Sequence, residues 1–139
     1  MSCERCINVV DAKMIGKEIE GKVIKINVLS FLGDIDKDTG LIVSEESGAK
    51  GSFIKDHILV VKRFRGSTVG TYIIYSLYKK GIAPKAIIMG KPDPVVLAGA
   101  VLCKIPIVYN IPDGILEHIE TGSYIKITST SNGISICIC

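Results

Sequence analysis

No apolar run in this 139-residue chain approaches the roughly 20 residues a helix needs to cross a bilayer, because Gly, Pro, Asp or Lys interrupts each one early. A chain without membrane spans is expected. The first residues, Met1-Ser2-Cys3-Glu4-Arg5-Cys6, have no basic segment leading into a long apolar stretch, so they do not read as a secretory leader. A cytoplasmic location follows as an expectation. The net charge of +3 is spread along the chain, which leaves it without the basic stripe that a nucleic-acid surface requires. Neither nucleic acid nor membrane is an expected partner. Internal repeats and low-complexity linkers are also lacking. Histidine is scarce: His57 and His118 have no triad or metal partner at a useful spacing and are read as structural.

What remains is a composition of 47% hydrophobic and 22% charged residues, that of one folded domain over residues 1–139. Five cysteines in a chain read as intracellular point to free thiols or metal before disulfides. Four of them stand at the ends, as Cys3-x-x-Cys6 and Cys137-x-Cys139, where they form either a four-thiolate zinc site or frayed terminal thiols. Cys103 lies in an apolar helical stretch and reads as a small core residue.

The first half is β in pattern. Residues 7–10 and 21–29 are apolar stretches, the second with Ile24, Ile26 and Val28 in alternation, and 41–43 is a further short strand. The segment between 31 and 40 is dense in turn formers. Its aspartates 34, 36 and 38 resemble a calcium loop only superficially, since the glycine and distal glutamate are misplaced, and a turn bonded to its own backbone is expected. From Ile58 the rhythm becomes β-α-β-α-β. Strands are expected at 58–61, 86–89 and 105–109. Between the first two lies a helix from near Thr68 with Val69, Tyr72, Ile73, Ser76, Leu77 and Lys80 on one face and Gly81 as its cap. Asp93 caps a second helix that starts at Pro94. A short helix after Asp113 and strands near 124–128 and 134–139 complete the expected α/β pattern, whose central strands run parallel.

Lys62-Arg63-Phe64-Arg65 is the one local basic concentration, either a solvated strand end or an anion contact. It leads into Gly66-Ser67-Thr68-Val69-Gly70, between a strand and a helix start, where unpaired backbone amides favour an anion. On position alone Ser67 or Thr68 serves equally well as a simple helix cap. The loop lacks the Gly-Lys-Ser/Thr ending of a Walker loop, and Arg65 stands where a Gly-x-Ser-x-Gly elbow needs glycine.

Three segments carry a resemblance. Residues 31–40 resemble the Ser-Phe/Trp-Gly-Gly-x-Asp-x-x-Thr-Gly signature of the aconitase X swivel domain, with Leu32 in place of a usual glycine. The stretch from Leu59-Val60 to Arg65-Gly66-Ser67-Thr68 is similar to that family's Leu-Val and Arg-Gly-Ser-Ser motif, and Ala83-Pro84-Lys85-Ala86-Ile87-Ile88 to its Ala-Pro-Ala-Ala-Ile-Ile segment. Glu45-Glu46-Ser47-Gly48 departs from it, standing where His-Pro is common, and the terminal cysteine pairs are outside it.

The resemblance implies a swivelling β/β/α domain with a parallel β-α-β-α-β unit and additional strands. Stand-alone members of about this length look like archaeal small subunits of phosphomevalonate dehydratase, which forms trans-anhydromevalonate phosphate in a mevalonate route to isoprenoids. It further implies a hydro-lyase active only with a large catalytic subunit, whose cysteines hold an iron–sulfur (4Fe-4S) cluster that this chain does not bind. The open iron acts there as a Lewis acid on the leaving hydroxyl while a base removes a proton beside the carboxylate. By this similarity Ser67 is the candidate base, and Arg65, Gly66 and Thr68 are candidate contacts to a small phosphorylated hydroxy acid. Arg65 either stabilises the serine alkoxide or grips the substrate's carboxylate or phosphate. The alternatives are a cis-3-hydroxyproline dehydratase subunit using the same serine, or a non-catalytic swivel module in which Ser67 is only a cap.

Overall fold

A computed structural model describes Cys3 and residues 5–139. Met1, Ser2 and Glu4, part of the segment read above for a secretory leader, lie outside the described residues. Eight strands form one sheet: β1 (Arg5–Val10), β2 (Lys13–Ile15), β3 (Ile19–Leu29), β4 (Ile58–Phe64), β5 (Ala86–Met89), β6 (Ile107–Tyr109), β7 (Tyr124–Ser129) and β8 (Gly133–Ile138). The helices are a broken turn α1 (Phe31–Asp34), α2 (Gly70–Lys79), α3 (Pro94–Leu102) and α4 (Asp113–His118). None of these is long and apolar enough to cross a membrane.

The strand order β1-β8-β7-β3-β4-β5-β6-β2 has its only parallel pairs between β3 and β6. β3 joins two regimes: Ile19–Lys22 pair antiparallel with β7, and Val23–Leu29 pair parallel with β4. In the central parallel strands, successive side chains enter opposite cores. Leu59, Val61, Ile87 and Met89 pack with Ile74 and Leu77 of α2 and Val96 and Ala100 of α3. Ile58, Val60, Ala86 and Ile88 instead meet Ile125 and Ile127 of β7, Ile134 and Ile136 of β8, and Leu116 of α4. The parallel strands are thus buried on both sides, between an antiparallel β layer and a helical layer, as the β/β/α expectation required.

The strands expected at 58–61 and 86–89 appear, the first extended to Phe64. Residues 41–43 do not form a ladder. Ile42 is fully buried and makes a single bridge with Ile35, while Leu41 bridges Phe53, because Gly40 and Gly48, both at positive φ, turn the chain on either side. β6 begins at Ile107 rather than 105, after Lys104 at φ 57 and the donor-less Pro106. The three residues of β2 are too few to give a periodic signal and have no counterpart in the sequence reading.

α2 begins at Gly70 and is rotated relative to the expected face. Gly70, Ile74 and Leu77 are buried, whereas Tyr72 is 75% exposed. Two glycines explain the rotation: a Cβ on Gly70 would sit 3.2 Å from Val95, and one on Gly99 would meet Ile74 and the backbone of Thr71. The helices therefore approach along the 70/74/99 line, and the tyrosines stay outside.

The terminal cysteines form disulfides, Cys3–Cys139 and Cys6–Cys137, and only Cys103 is free, buried at 3% exposure. The expectation of free thiols or metal is corrected here. β1 and β8 pair antiparallel with Cys6 directly opposite Cys137, which brings the two ends of the chain into bonding reach. Either bond closes a ring of more than 130 residues, which in the chain-entropy picture is worth about 4 to 5 kcal/mol. The second bond then closes only a small ring and adds little. Replacing Cys3, Cys6, Cys137 and Cys139 together by serine should therefore lower the melting temperature by roughly 10 °C or more under oxidising conditions. With a dithiol reductant present, the natural chain and the variant should melt together. Identical melting of the two chains without reductant would show that the bonds do not contribute.

Candidate active site

β3, β4 and β5 run parallel, so the segments that leave their carboxyl ends lie side by side. At such ends open α/β sheets place their ligands. After Leu29 the chain enters Ser30 and α1; after Phe64 it enters Arg65-Gly66-Ser67-Thr68-Val69 and α2; after Met89 it enters Gly90-Lys91-Pro92-Asp93 and α3. The Arg65 amide still donates to the Leu29 carbonyl at 2.9 Å, so the pairing persists one step beyond β4 before the loop departs.

Ser67 is half-buried, and its Oγ accepts from the Val69 amide at 3.3 Å. It caps the turn before the helix and not the helix itself, and neither does Thr68: no side chain caps the first-turn amides of α2. Those amides carry the positive end of the helix dipole and remain available to an anion. A Cβ at Gly66 would touch nothing within 4 Å, so packing does not demand glycine there. Thr68 is exposed. The start of α2 is fixed against α3 by the Thr71 hydroxyl, which donates to the Val95 carbonyl at 2.7 Å. α3 is in turn capped by Asp93, whose Oδ1 accepts from Val95 and Val96 at 3.0 Å each, with Pro94 as its first residue.

Arg65 is engaged on both sides of its fork. Nη2 donates to both carboxylate oxygens of Asp34, at 3.1 and 3.0 Å, and Nη1 donates to Glu46 Oε2 at 2.6 Å. Asp34 is 7% exposed, and its Oδ2 also accepts from the Ser30 amide at 2.7 Å. The Glu46 hydrogen bond, then the charges of Asp34 and Glu46, hold the Arg65 pKa above its ordinary value. Phe31 and Phe64, each next to one end of this arrangement, stack with ring centroids 6.2 Å apart. Two open cavities reach the loop: one of about 570 Å3 lined by Val28, Glu46, Arg63, Phe64 and Arg65, another of about 340 Å3 lined by Gly66, Lys91 and Arg63 among others.

Of the basic run, Lys62 pairs with Glu117 of α4, and Phe64 packs against the helical-layer core. Arg63 and Arg65 face the cavities. The expectation of a self-bonded turn holds for Asp36, whose Oδ1 accepts from the Asp38 amide at 2.8 Å. Asp34 likewise accepts from the nearby Ser30 amide, and in addition it reaches across to Arg65. Asp34 and Glu46 are the residues that sequence reasoning did not assign to the site. The strand register would have found Asp34, since Leu29 opposite Phe64 sets the exit of β3 beside Arg65. His57 and His118 each bond a local carbonyl, of Lys55 and Gly114.

Residues 9–136 match the family model described as the aconitase X swivel domain. The chain belongs to that family. The match includes Asp34, Glu46 and the Arg65–Ser67 loop, and it stops short of all four disulfide cysteines. The phosphomevalonate dehydratase small subunit of Pyrococcus horikoshii is 42% identical over 126 residues, 89% of this chain and 92% of the relative. That of Thermococcus kodakarensis is 40% identical over the same shares. The Methanosarcina acetivorans small subunit is 36% identical over 118 residues, 84% of this chain and 82% of the relative. The crystal structure of Thermococcus kodakaraensis aconitase X in its holo-form superposes with a TM-score of 0.79 at 37% identity, covering 90% of this chain and 92% of that one.

Proposed function

We propose that this chain is the small subunit of a dehydratase that removes water from (R)-5-phosphomevalonate to give trans-anhydromevalonate 5-phosphate, with Ser67 as the base. The whole chain acts in this reading as one swivel domain that closes over the active site of a large subunit in the cytoplasm. The reaction class is supported by the relatives, phosphomevalonate dehydratase small subunits that this chain matches over most of their length. One structural observation carries the role of Ser67: it lies in an uncapped strand-to-helix loop at the carboxyl end of a buried parallel strand, two residues from a charged arginine.

A serine hydroxyl is a weak base until its alkoxide is stabilised. The free amides and dipole at the start of α2, with the guanidinium charge of Arg65, supply that stabilisation. Ser67 then takes the proton beside the substrate carboxylate while the C–O bond on the neighbouring carbon breaks and its hydroxyl leaves as hydroxide; the serine gives its proton up after product leaves, so one water is released per turnover. The iron–sulfur cluster that the family implies is assigned to the partner. Among the described residues no group of three or more His, Cys, Asp or Glu is disposed to hold a metal. The terminal cysteines are paired and Cys103 is buried, so this chain offers a cluster no free, exposed thiolate.

The isolated chain is therefore expected to show no dehydration of phosphomevalonate, and turnover is expected to appear on mixing with a large subunit carrying its cluster. Product formation followed by mass spectrometry checks both. Strong activity from this chain alone would remove the subunit reading, and turnover of cis-3-hydroxyproline in place of phosphomevalonate would move the substrate within the family.

A further inference from the structure

The two sides of the Arg65 fork are held differently. Its Nη2 is fixed to both oxygens of Asp34, a carboxylate that is almost fully buried and tied by the Ser30 amide. Among the described residues its Nη1 meets only Glu46, whose side chain is 69% exposed at the rim of the larger cavity. Exposed pairs of this kind contribute little and exchange readily, whereas a buried, doubly bonded carboxylate does not let go.

The placement of Glu46 is nevertheless built into the chain. Its neighbour Ser47 is fully buried; the Ser47 hydroxyl donates to the Ser44 carbonyl at 2.7 Å and accepts from the Ala49 amide at 3.1 Å. The Ser47 carbonyl accepts from the Asn27 amide of β3 at 2.8 Å. Gly48 follows at φ +74, a conformation glycine favours, and a Cβ there would come within 2.6 Å of Asn27 Nδ2 and push that amide aside. The loop is thereby clamped to β3 on the C-terminal side of Glu46, which holds the glutamate over Arg65.

We infer that Glu46 occupies on Arg65 the seat of the substrate's carboxylate and competes with it, and that Asp34 is the positioning residue that keeps the guanidinium aimed at that seat. The inference rests on the dehydratase reading and adds to it the division of labour at Arg65. A carboxylate arriving through the cavity replaces Glu46 on Nη1 by like-for-like exchange, and Asp34 keeps Nη2 in place meanwhile. Once there, the substrate carboxylate shares its charge with Arg65. That acidifies the adjacent C–H, whose proton goes to Ser67, two residues along the chain from Arg65. With Glu46 in place, one guanidinium faces two carboxylates and the cluster is net negative, so the free site does not attract unrelated anions.

The test uses the assembled two-subunit complex. Glu46→Gln keeps the shape of the side chain and removes its charge, so KM for phosphomevalonate should fall by roughly two- to five-fold with kcat nearly unchanged, the range expected for loss of an exposed competing pair. Asp34→Asn should lower kcat/KM by about tenfold or more, since a misdirected guanidinium fails in both binding and chemistry. Restoration by Asp34→Glu in preference to Asp34→Ala would mark positioning by charge. Calorimetric binding of mevalonate, a hydroxy carboxylate without phosphate, reads the seat independently of turnover. It should tighten with Glu46→Gln and weaken with Arg65→Gln. Equal mevalonate affinity for the natural and Glu46→Gln complexes overturns the inference, as does tightening for inorganic phosphate alone, which would make the seat a phosphate site. Normal turnover of a Ser67→Ala complex would instead remove the dehydratase role of the loop and leave the binding result to stand or fall alone.

Discussion

Replacing Ser67 by alanine is expected to lower turnover of the assembled complex on the order of a hundredfold or more, while the chain folds and pairs normally. The two effects separate because the hydroxyl has little structural work. It accepts one hydrogen bond, from the Val69 amide at 3.3 Å, at a half-buried position in a loop that open cavities reach. An alanine there leaves an amide that water reaches, so the stability cost is about 1 kcal/mol or less. The proton-transfer role has no substitute within the loop. Thr68 is exposed and one residue away, and Arg65 carries no basic electron pair. Circular dichroism and size-exclusion chromatography should therefore be unchanged when turnover is lost. Turnover within a few-fold of the natural complex would reduce Ser67 to a turn cap and favour a non-catalytic swivel module.

The residues that bear on this prediction were legible to different degrees. The loop itself was visible because it is local: a strand of continuous apolar residues, a glycine and serine turn, then helical periodicity. Asp93 with Pro94, and Gly81 at φ 74, were visible for the same reason, since a cap is written within a few residues of the helix it ends. The family motifs carried the fold class, which periodicity alone leaves at parallel strands with helices.

What escaped depended on contacts far apart in sequence. Asp34 lies 31 residues from Arg65 and Glu46 lies 19 from it, and nothing local distinguishes them from other acidic turn residues. The face of α2 was misplaced for a related reason. Ile73 and Ile74 allow two rotations, and the choice is made by Gly99 on another helix. The cysteine pairing was missed because the compartment argument favours thiols in a chain read as intracellular. The register of β1 against β8 overrides it by setting Cys6 directly opposite Cys137.

Gly99→Val should destabilise the chain by about 1 to 3 kcal/mol and lower kcat of the complex by tenfold or more. Gly99 lies in the middle of α3, where glycine is a poor helix former, so a side chain there gains a few tenths of a kcal/mol in propensity. Packing opposes this more strongly. The first added carbon alone would stand 2.9 Å from Ile74 Cδ1 and 3.2 Å from both Ile74 Cβ and the Thr71 Cα, and valine adds two more carbons beyond it. Ile74 Cδ1 is a side-chain end that can swing away, but Thr71 Cα is backbone, so α2 itself must move. Its first turn carries the Thr71 hydrogen bond to Val95 and follows directly on the Ser67 loop. A shift of about 1 Å there misdirects the base, which is why a substitution in a packed helix should reach kcat. Gly99→Ala brings the same first carbon without the two beyond it, so it should cost less than valine, with about 1 kcal/mol of helix propensity offsetting part of the clash. Ile74→Val in the Gly99→Val chain removes Cδ1 and should restore part of both stability and turnover, a coupling that independent sites would not show. Thermal melting and single-turnover rates on the natural chain, Gly99→Val, Ile74→Val and the double variant check this. Melting and turnover of Gly99→Val equal to the natural chain would mean that α3 does not set the position of the Ser67 loop.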